Sequence, residues 1–368
     1  MQSPRIIISG GGTGGHIFPA IAIADAIKAL EPNAEFLFVG AKGRMEMERV
    51  PKAGYEIQGL WISGIQRKLT LDNLSFPFKL MSSLLKARAI VKQFKPDVAV
   101  GVGGYASGPM LKVATSRRIP SLIQEQNSFP GITNRLLAKN VNTICVAYQG
   151  MEKWFPKNKL VMTGNPVRKQ VVQLAGKKSE GLKSFGLKKD MPTLLVVGGS
   201  LGARTINETI KSNLDFFKSN GFQLIWQTGK HYADEARVAV GELEYSGVVT
   251  LPFIDRMDFA YAAADALVSR AGAMSVSEIC LVKKAAVLVP SPNVAEDHQT
   301  KNAKALADHN AAVLVRDNNA GDELIPAVRK LLSNKEYREH IAQNTTSHAF
   351  QNSAENIANE VLKLISKN

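Results

Sequence analysis

The 368-residue chain is short of several things, and each shortage removes a class of protein. Cysteine is almost missing. Cys145 and Cys280 each sit in an apolar run, in neither a Cys-x-x-Cys pair nor a metal-ligand spacing, which excludes a disulfide framework and fits a reducing compartment. No Asp-x-Asp occurs, so the usual carboxylate handle for a metal-bound diphosphate is lacking. No apolar stretch is long enough to span a bilayer, and the segment ahead of Ile6-Ile7-Ile8 is too short for a signal peptide. The expectation is a protein that is soluble or rests on a membrane without crossing it. Aromatic residues are only 7%, with no tract that interleaves them with basic residues, which speaks against nucleic acid. Acidic residues are outnumbered, 32 against 46 Lys and Arg, and the formal charge of +14 points to an anionic partner wherever the cations cluster.

What is present reads as a globular α/β protein. Hydrophobic residues make up 45% and charged residues 21%, and the length exceeds what one ordinary core holds, so two domains are expected. Short apolar runs at 5–9, 35–39, 55–60, 97–100, 121–124, 143–146 and 160–163 alternate with helix-like stretches, among them 19–30. A polar segment, 176–189, follows. Runs at 193–197, 223–227, 248–251, 266–269, 285–289 and 312–315 then repeat the plan, and 354–365 has the spacing of a terminal docking helix. Buried runs followed by glycine and then by a helix predict doubly wound parallel sheets, one in each half.

The first glycine loop, Gly10-Gly11-Gly12-Thr13-Gly14-Gly15-His16, contains a literal G-x-G-x-x-G between a strand and a helix. Such a loop leaves amides bare at a helix N-terminus, a place that attracts oxyanions. A dinucleotide-binding oxidoreductase would also want an acidic residue ending the second strand. Here that strand ends Phe38-Val39-Gly40-Ala41, and only Lys42 and Arg44 nearby suit a phosphorylated cofactor. Further glycine turns follow predicted strands at Gly103–Pro109, Gly198–Ala203 and Arg270–Ser275, where open parallel sheets bind ligands. Two sheets facing each other would line one cleft with all of these loops.

Taken in order, Gly10–His16, Gly103–Pro109, Glu125-Gln126-Asn127, Gly164-Asn165-Pro166-Val167-Arg168, Gly198–Ala203, Ser269–Glu278 and Asp297-His298-Gln299 make the chain resemble the MurG family nearly end to end. These bacterial transferases add N-acetylglucosamine to lipid I, giving lipid II for peptidoglycan. The resemblance implies the GT-B architecture, two Rossmann-like domains facing across a cleft. It implies an N-terminal acceptor and membrane-associating domain over 1–166, a donor domain over 167–345, and a C-terminal helix, 346–368, packing back on the first. It also implies that UDP-N-acetylglucosamine rests mainly on the second half. By this match Glu278 accepts from the ribose hydroxyls. Ser200 and the amides opening the helix at Ala273, Met274 and Ser275 take the diphosphate, Val276 and Ser277 also bind the donor, and Arg168 is a donor-binding cation. Ile254 reads the uracil edge through its backbone, Gln299 and Asn127 bind the sugar, and Thr13, Gly14 and Gly15 close the site from the N-terminal half. The family varies around residues 297–300, which leaves open which polar side chain there touches the sugar.

The implied reaction displaces UDP from the anomeric carbon by a sugar hydroxyl, with inversion. It needs a base for the hydroxyl proton and dipoles or a cation for the departing UDP. His16 is the first candidate for the base and Glu125 the reserve. Helix N-termini and Arg168 supply positive field, so neither a protein-bound metal nor another cofactor is expected. The stretch 69–95 crowds Leu74, Phe76, Phe78, Leu80, Met81, Leu84 and Leu85 beside Lys68, Lys79, Lys86, Arg88 and Lys92. That pairing suits the cytosolic face of an anionic inner membrane. The other reading, a buried amphipathic helix with a solvated back, explains the helix but less well Phe76-Pro77-Phe78 before it. Three alternatives remain at this point: a related transferase with another lipid or small acceptor, an NADP-dependent oxidoreductase, and a non-catalytic lipid- or nucleic-acid-binding protein.

Overall fold

A computed structural model describes residues 3–64, 75–199, 202–294 and 297–366. Two compact units share the chain: residues 1–168 with 350–368, and residues 169–349. Val167 and Arg168 therefore belong with the first unit, and residues 346–349 with the second.

The first unit carries a seven-stranded sheet in the order β3-β2-β1-β4-β5-β6-β7, parallel throughout. Its strands are β1 Arg5–Ser9, β2 Glu35–Ala41, β3 Ile57–Leu60, β4 Val98–Gly101, β5 Ser121–Glu125, β6 Thr143–Val146 and β7 Leu160–Met162. The helices that matter below are α1 Gly14–Leu30, α2 Glu46–Lys52, α3 Phe76–Phe94, α4 Ser107–Ser116 and α5 Ile132–Leu137. The second unit has a six-stranded parallel sheet, order β10-β9-β8-β11-β12-β13. It is built from β8 Thr193–Val197, β9 Gln223–Gln227, β10 Val248–Leu251, β11 Ala266–Ser269, β12 Ala285–Leu288 and β13 Val313–Leu314. Its helices include α6 Arg204–Lys211, α7 Met257–Ala263, α8 Ala273–Val282 and α9 His298–Ala307. The final helix, α10 Ser353–Ser366, returns to the first unit and packs on α1.

Side-chain alternation explains why both faces of each sheet are covered. On β1, Ile7 joins one apolar cluster with Ala87 and Ile90 of α3 and Met110 of α4. Ile6 and Ile8 point the other way, to Ile17 and Ile23 of α1 and Ile357 and Val361 of α10. The second sheet repeats this: Leu194, Val196 and Trp226 feed one cluster, and Leu195, Ile225 and Leu267 the other. In each sheet the strand order reverses beside the first strand, between β1 and β4 and between β8 and β11. Ligands bind at such reversals in open α/β sheets, beyond the carboxyl ends of the strands. Four loops thereby acquire functional weight: those after β1, β4, β8 and β11.

Two local departures from the sequence reading have simple causes. Helix α1 begins at Gly14 rather than Pro19, because extended Thr13 (φ −146°) serves as the N-cap and the glycines enter the first turn. Helix α3 begins at Phe76, with Pro77 in its first turn where a missing N–H costs nothing, so Phe76-Pro77-Phe78 is helix rather than preceding loop.

Candidate active site

In the first unit, the loops after β1 and β4 meet backbone to backbone. A Cβ on Gly104 (φ +85°) would stand 2.3 Å from the Gly11 carbonyl oxygen, so only glycine permits the approach. The buried Ser107 hydroxyl ties both loops, donating to the carbonyls of Ser9 at 2.6 Å and Gly103 at 2.9 Å. Beneath them lies Glu46, the first residue of α2, with 1% of its surface exposed. Its Oε2 accepts from the Gly12 amide and its Oε1 from the Ala41 amide, each at 2.9 Å. The loop after β1 is thus held by an internal carboxylate at the end of β2. Sequence reading missed Glu46, because an acidic residue in a helix's first turn ordinarily reads as a partner for the helix dipole.

His16 sits in the first turn of α1, half-buried. Its Nδ1 lies 3.1 Å from the Gly11 carbonyl oxygen, which only accepts, so Nδ1 carries the proton and the neutral ring keeps its lone pair on Nε2. The Thr13 hydroxyl is 3.4 Å from the same nitrogen. The Nε2 edge faces Gly103, 2.9 Å from where a Cβ there would stand. Thr13 and Gly15 are exposed and Gly14 is half-buried.

Glu125, by contrast, is fully enclosed and its carboxylate is engaged on both oxygens. Oε1 accepts from the Asn127 amide at 3.0 Å and side chain at 3.3 Å, and Oε2 from the Gly131 amide at 3.1 Å and Asn134 Nδ2 at 2.9 Å. Burial pushes this carboxyl above the usual range, with those donors pulling the other way. Around it, buried Gln124 Nε2 donates to Asn165 Oδ1, Asn165 Nδ2 to the Gln126 carbonyl, and Gln126 Nε2 to the Val102 carbonyl. The motif Glu125-Gln126-Asn127 and the turn Gly164-Asn165-Pro166 are thereby joined into one network. Arg168, at the end of that turn, is exposed, with its guanidinium 4.8 Å over the Phe18 ring of α1.

In the second unit the loop after β8 opens with Gly198 and Gly199; Ser200 lies outside the described residues. Gln227, at the end of β9, bridges two expected donor contacts. Its Nε2 donates to the Gly199 carbonyl at 3.2 Å, and its Oε1 accepts from the Ile254 amide at 3.0 Å. Helix α8 follows the loop after β11. Ala273 and Val276 are buried there, while Met274, Ser275, Ser277 and Glu278 are partly exposed. First-turn amides have no partner within their own helix, which leaves those of Ala273, Met274 and Ser275 for an anion. The base of this loop is fixed from behind. Arg270 donates to the carbonyls of Val289 and Pro290 and pairs with Asp317, and Asn302 donates to the Ala271 carbonyl. Glu278 Oε2 accepts from the Tyr261 hydroxyl at 2.8 Å, and Gln299 Oε1 from the Ser291 amide at 2.9 Å.

The apolar set on α3 divides. Phe76, Leu80 and Leu84 pack partly onto the core, whereas Phe78, Met81 and Leu85 are exposed at 73%, 59% and 56%. Phe76 and Leu84, expected at a membrane, are half-buried: from a helix start at Phe76, steps of four turn 76, 80 and 84 toward the core. Lys79 donates to the Ser63 hydroxyl at 3.2 Å, and Leu74 lies outside the described residues. Sequence reading missed Ile132 and Leu136 on α5, exposed at 63% and 74%, beside Trp154, which carries Arg135 4.8 Å over its ring. Among the described residues, no helix is long and apolar enough to cross a membrane.

Two parallel sheets, each with glycine loops at its reversal point, define a chain of two Rossmann-like domains. Comparison with known proteins is more specific. Residues 6–146 match the glycosyltransferase family 28 N-terminal domain and residues 193–361 the family 28 C-terminal domain. The chain belongs to glycosyltransferase family 28. A Christiangramia forsetii protein is 54% identical over 98% of each chain, and a Phocaeicola vulgatus protein is 56% identical over 100% of this chain and 98% of its own. Both are named UDP-N-acetylglucosamine--N-acetylmuramyl-(pentapeptide) pyrophosphoryl-undecaprenol N-acetylglucosamine transferase. The crystal structure of Acinetobacter baumannii MurG superposes with a TM-score of 0.78 at 28% identity, covering 98% of this chain and all of that one.

Proposed function

We propose that this chain transfers N-acetylglucosamine from UDP-N-acetylglucosamine to the 4-hydroxyl of the N-acetylmuramyl group of undecaprenyl-pyrophosphoryl-N-acetylmuramyl-pentapeptide, turning lipid I into lipid II with inversion. The observation that carries the reading is the tautomer imposed on His16, in a chain more than half identical from end to end to relatives named for this transfer. His16 Nε2 takes the proton of the acceptor hydroxyl as its oxygen bonds to the anomeric carbon. The bond from that carbon to the β-phosphate oxygen breaks, and its electron pair leaves with UDP. Bare amides opening α8 and the Arg168 guanidinium receive the growing negative charge. Glu278 binds the ribose, and Asn127 and Gln299 the sugar. The backbone of Ile254 reads the uracil, held by Gln227 on the side where Gly199 continues into the diphosphate loop.

Glu125 acts in support. With four donors on its carboxylate it shapes the segment from Asn127 to Asn134. A dinucleotide in the first loop is disfavoured, because Glu46 already holds the Gly12 amide that a pyrophosphate would use. For the lipid-linked acceptor, the exposed Phe78, Met81 and Leu85 of α3 and Ile132 and Leu136 of α5 rest on the cytosolic leaflet. Both helices pack on α4, and Arg88, Arg135 and Lys139 are exposed on or just beyond them; each cation near an anionic surface is worth about 1 kcal/mol.

Thermal-shift measurements with UDP, UDP-N-acetylglucosamine, UDP-glucose and NADP test the ligand class. A ligand at 100 times its Kd stabilises the folded state by about 2.7 kcal/mol. The two donors' shared UDP should raise Tm and NADP should not; a shift with NADP alone would overturn the reading.

A further inference from the structure

We propose that Tyr261 is a positioning residue for the donor: its phenol aims the Glu278 carboxylate and so sets how well the site tells ribose from deoxyribose. This rests on Glu278 being the ribose ligand. Tyr261 lies on α7, 4% exposed, and its hydroxyl donates to Glu278 Oε2 at 2.8 Å. If the position served packing alone, a phenylalanine would fill it. A buried hydroxyl is costly without a partner, and here that partner is the one carboxylate carried by α8. Burial, reinforced by the neighbouring negative charge, holds the phenol well above its ordinary range, so it remains a donor across every pH at which the protein is handled. A partly exposed glutamate on a helix has several rotamers. A fixed donor on Oε2 selects one of them and leaves the carboxylate acceptor-only toward the vicinal ribose hydroxyls, whose paired geometry tolerates little rotation.

The test compares UDP with 2′-deoxy-UDP by calorimetry on the parent, Tyr261→Phe and Glu278→Gln. In the parent, UDP binds more tightly. In Tyr261→Phe, UDP should weaken about tenfold, the change one charged hydrogen bond makes, while 2′-deoxy-UDP weakens little, so the preference collapses. A purely structural defect would weaken both nucleotides alike and lower the ligand-free Tm. If Tyr261→Phe keeps the parent preference while Glu278→Gln loses it, Glu278 remains the ribose ligand and the role given to Tyr261 is overturned. If Glu278→Gln also keeps the preference, both assignments fall. If Tyr261→Phe does not fold, Tyr261→His, whose ring nitrogens fall short of the phenol oxygen's position, takes its place: a collapsed preference in a folded protein supports the proposal, and the parent preference retained contradicts it.

Discussion

Replacing Glu46 by alanine removes the carboxylate that binds the Gly12 and Ala41 amides and opens a void under the loop after β1. Two hydrogen bonds to a charged acceptor, at about 1.5–3 kcal/mol each, set the loss near 3–6 kcal/mol, with two amides left without their partner. For a unit of this size, at about 2–4 °C per kcal/mol, the melting transition of the first unit should fall by about 10 °C. Glu46→Gln keeps one carbonyl acceptor but presents an NH2 group to the other amide, so about half the loss is expected. Differential scanning calorimetry of the full chain reads both variants, with UDP added in a second series. UDP should stabilise the variants nearly as much as the parent, because the residues assigned to UDP lie in the second unit apart from Arg168, which does not bond to Glu46. Turnover should fall with Glu46→Gln even below its melting range, since Gly11, neighbour of the loosened Gly12, holds His16 in its tautomer. A Glu46→Ala protein melting within about 2 °C of the parent would refute the structural argument.

Three further outcomes follow from the same geometry. His16→Ala should cut turnover by about 10²–10⁴-fold while leaving UDP affinity unchanged in calorimetry, and a loss below about tenfold would make His16 structural. Activity should survive exhaustive chelation, since amides and Arg168 are assigned to the diphosphate; a complete loss restored by magnesium would contradict this. Replacing Phe78 and Leu85 with serine should weaken flotation with anionic vesicles at every salt concentration, whereas parent binding falls as salt shortens the screening length from about 10 Å at 0.1 M. Equal flotation of parent and variant would remove α3 from the membrane contact.

The strands were legible because buried parallel strands are continuous apolar runs, and runs such as Ile6-Ile7-Ile8 followed by glycine leave few other readings. Ser107, Gly104 and the network around Asn165 lay within motifs visible in the sequence, though their contacts did not. Glu46, Gln227 and Tyr261 were out of reach for a different reason. Their partners stand 34, 27 and 17 residues away, and only the packing of one loop on another brings them together. On α3, composition showed an apolar and basic helix, but dividing Phe76 from Phe78 required knowing where the helix starts. Helix α1 shows the converse: Pro19 is a good first-turn residue, and its pull on the reading hid a start among the glycines.

The most direct measurement supplies purified protein with UDP-N-acetylglucosamine labelled in the sugar and a short-chain soluble analogue of lipid I, and follows the label and the anomeric configuration of the product. Transfer to the N-acetylmuramyl 4-hydroxyl, with one UDP released per disaccharide, a β-linkage formed from the α-linked donor, and label transfer nearly abolished by His16→Ala, is the expected result. Release of free N-acetylglucosamine without disaccharide, a retained α-linkage, or full transfer by the His16 variant would contradict the account.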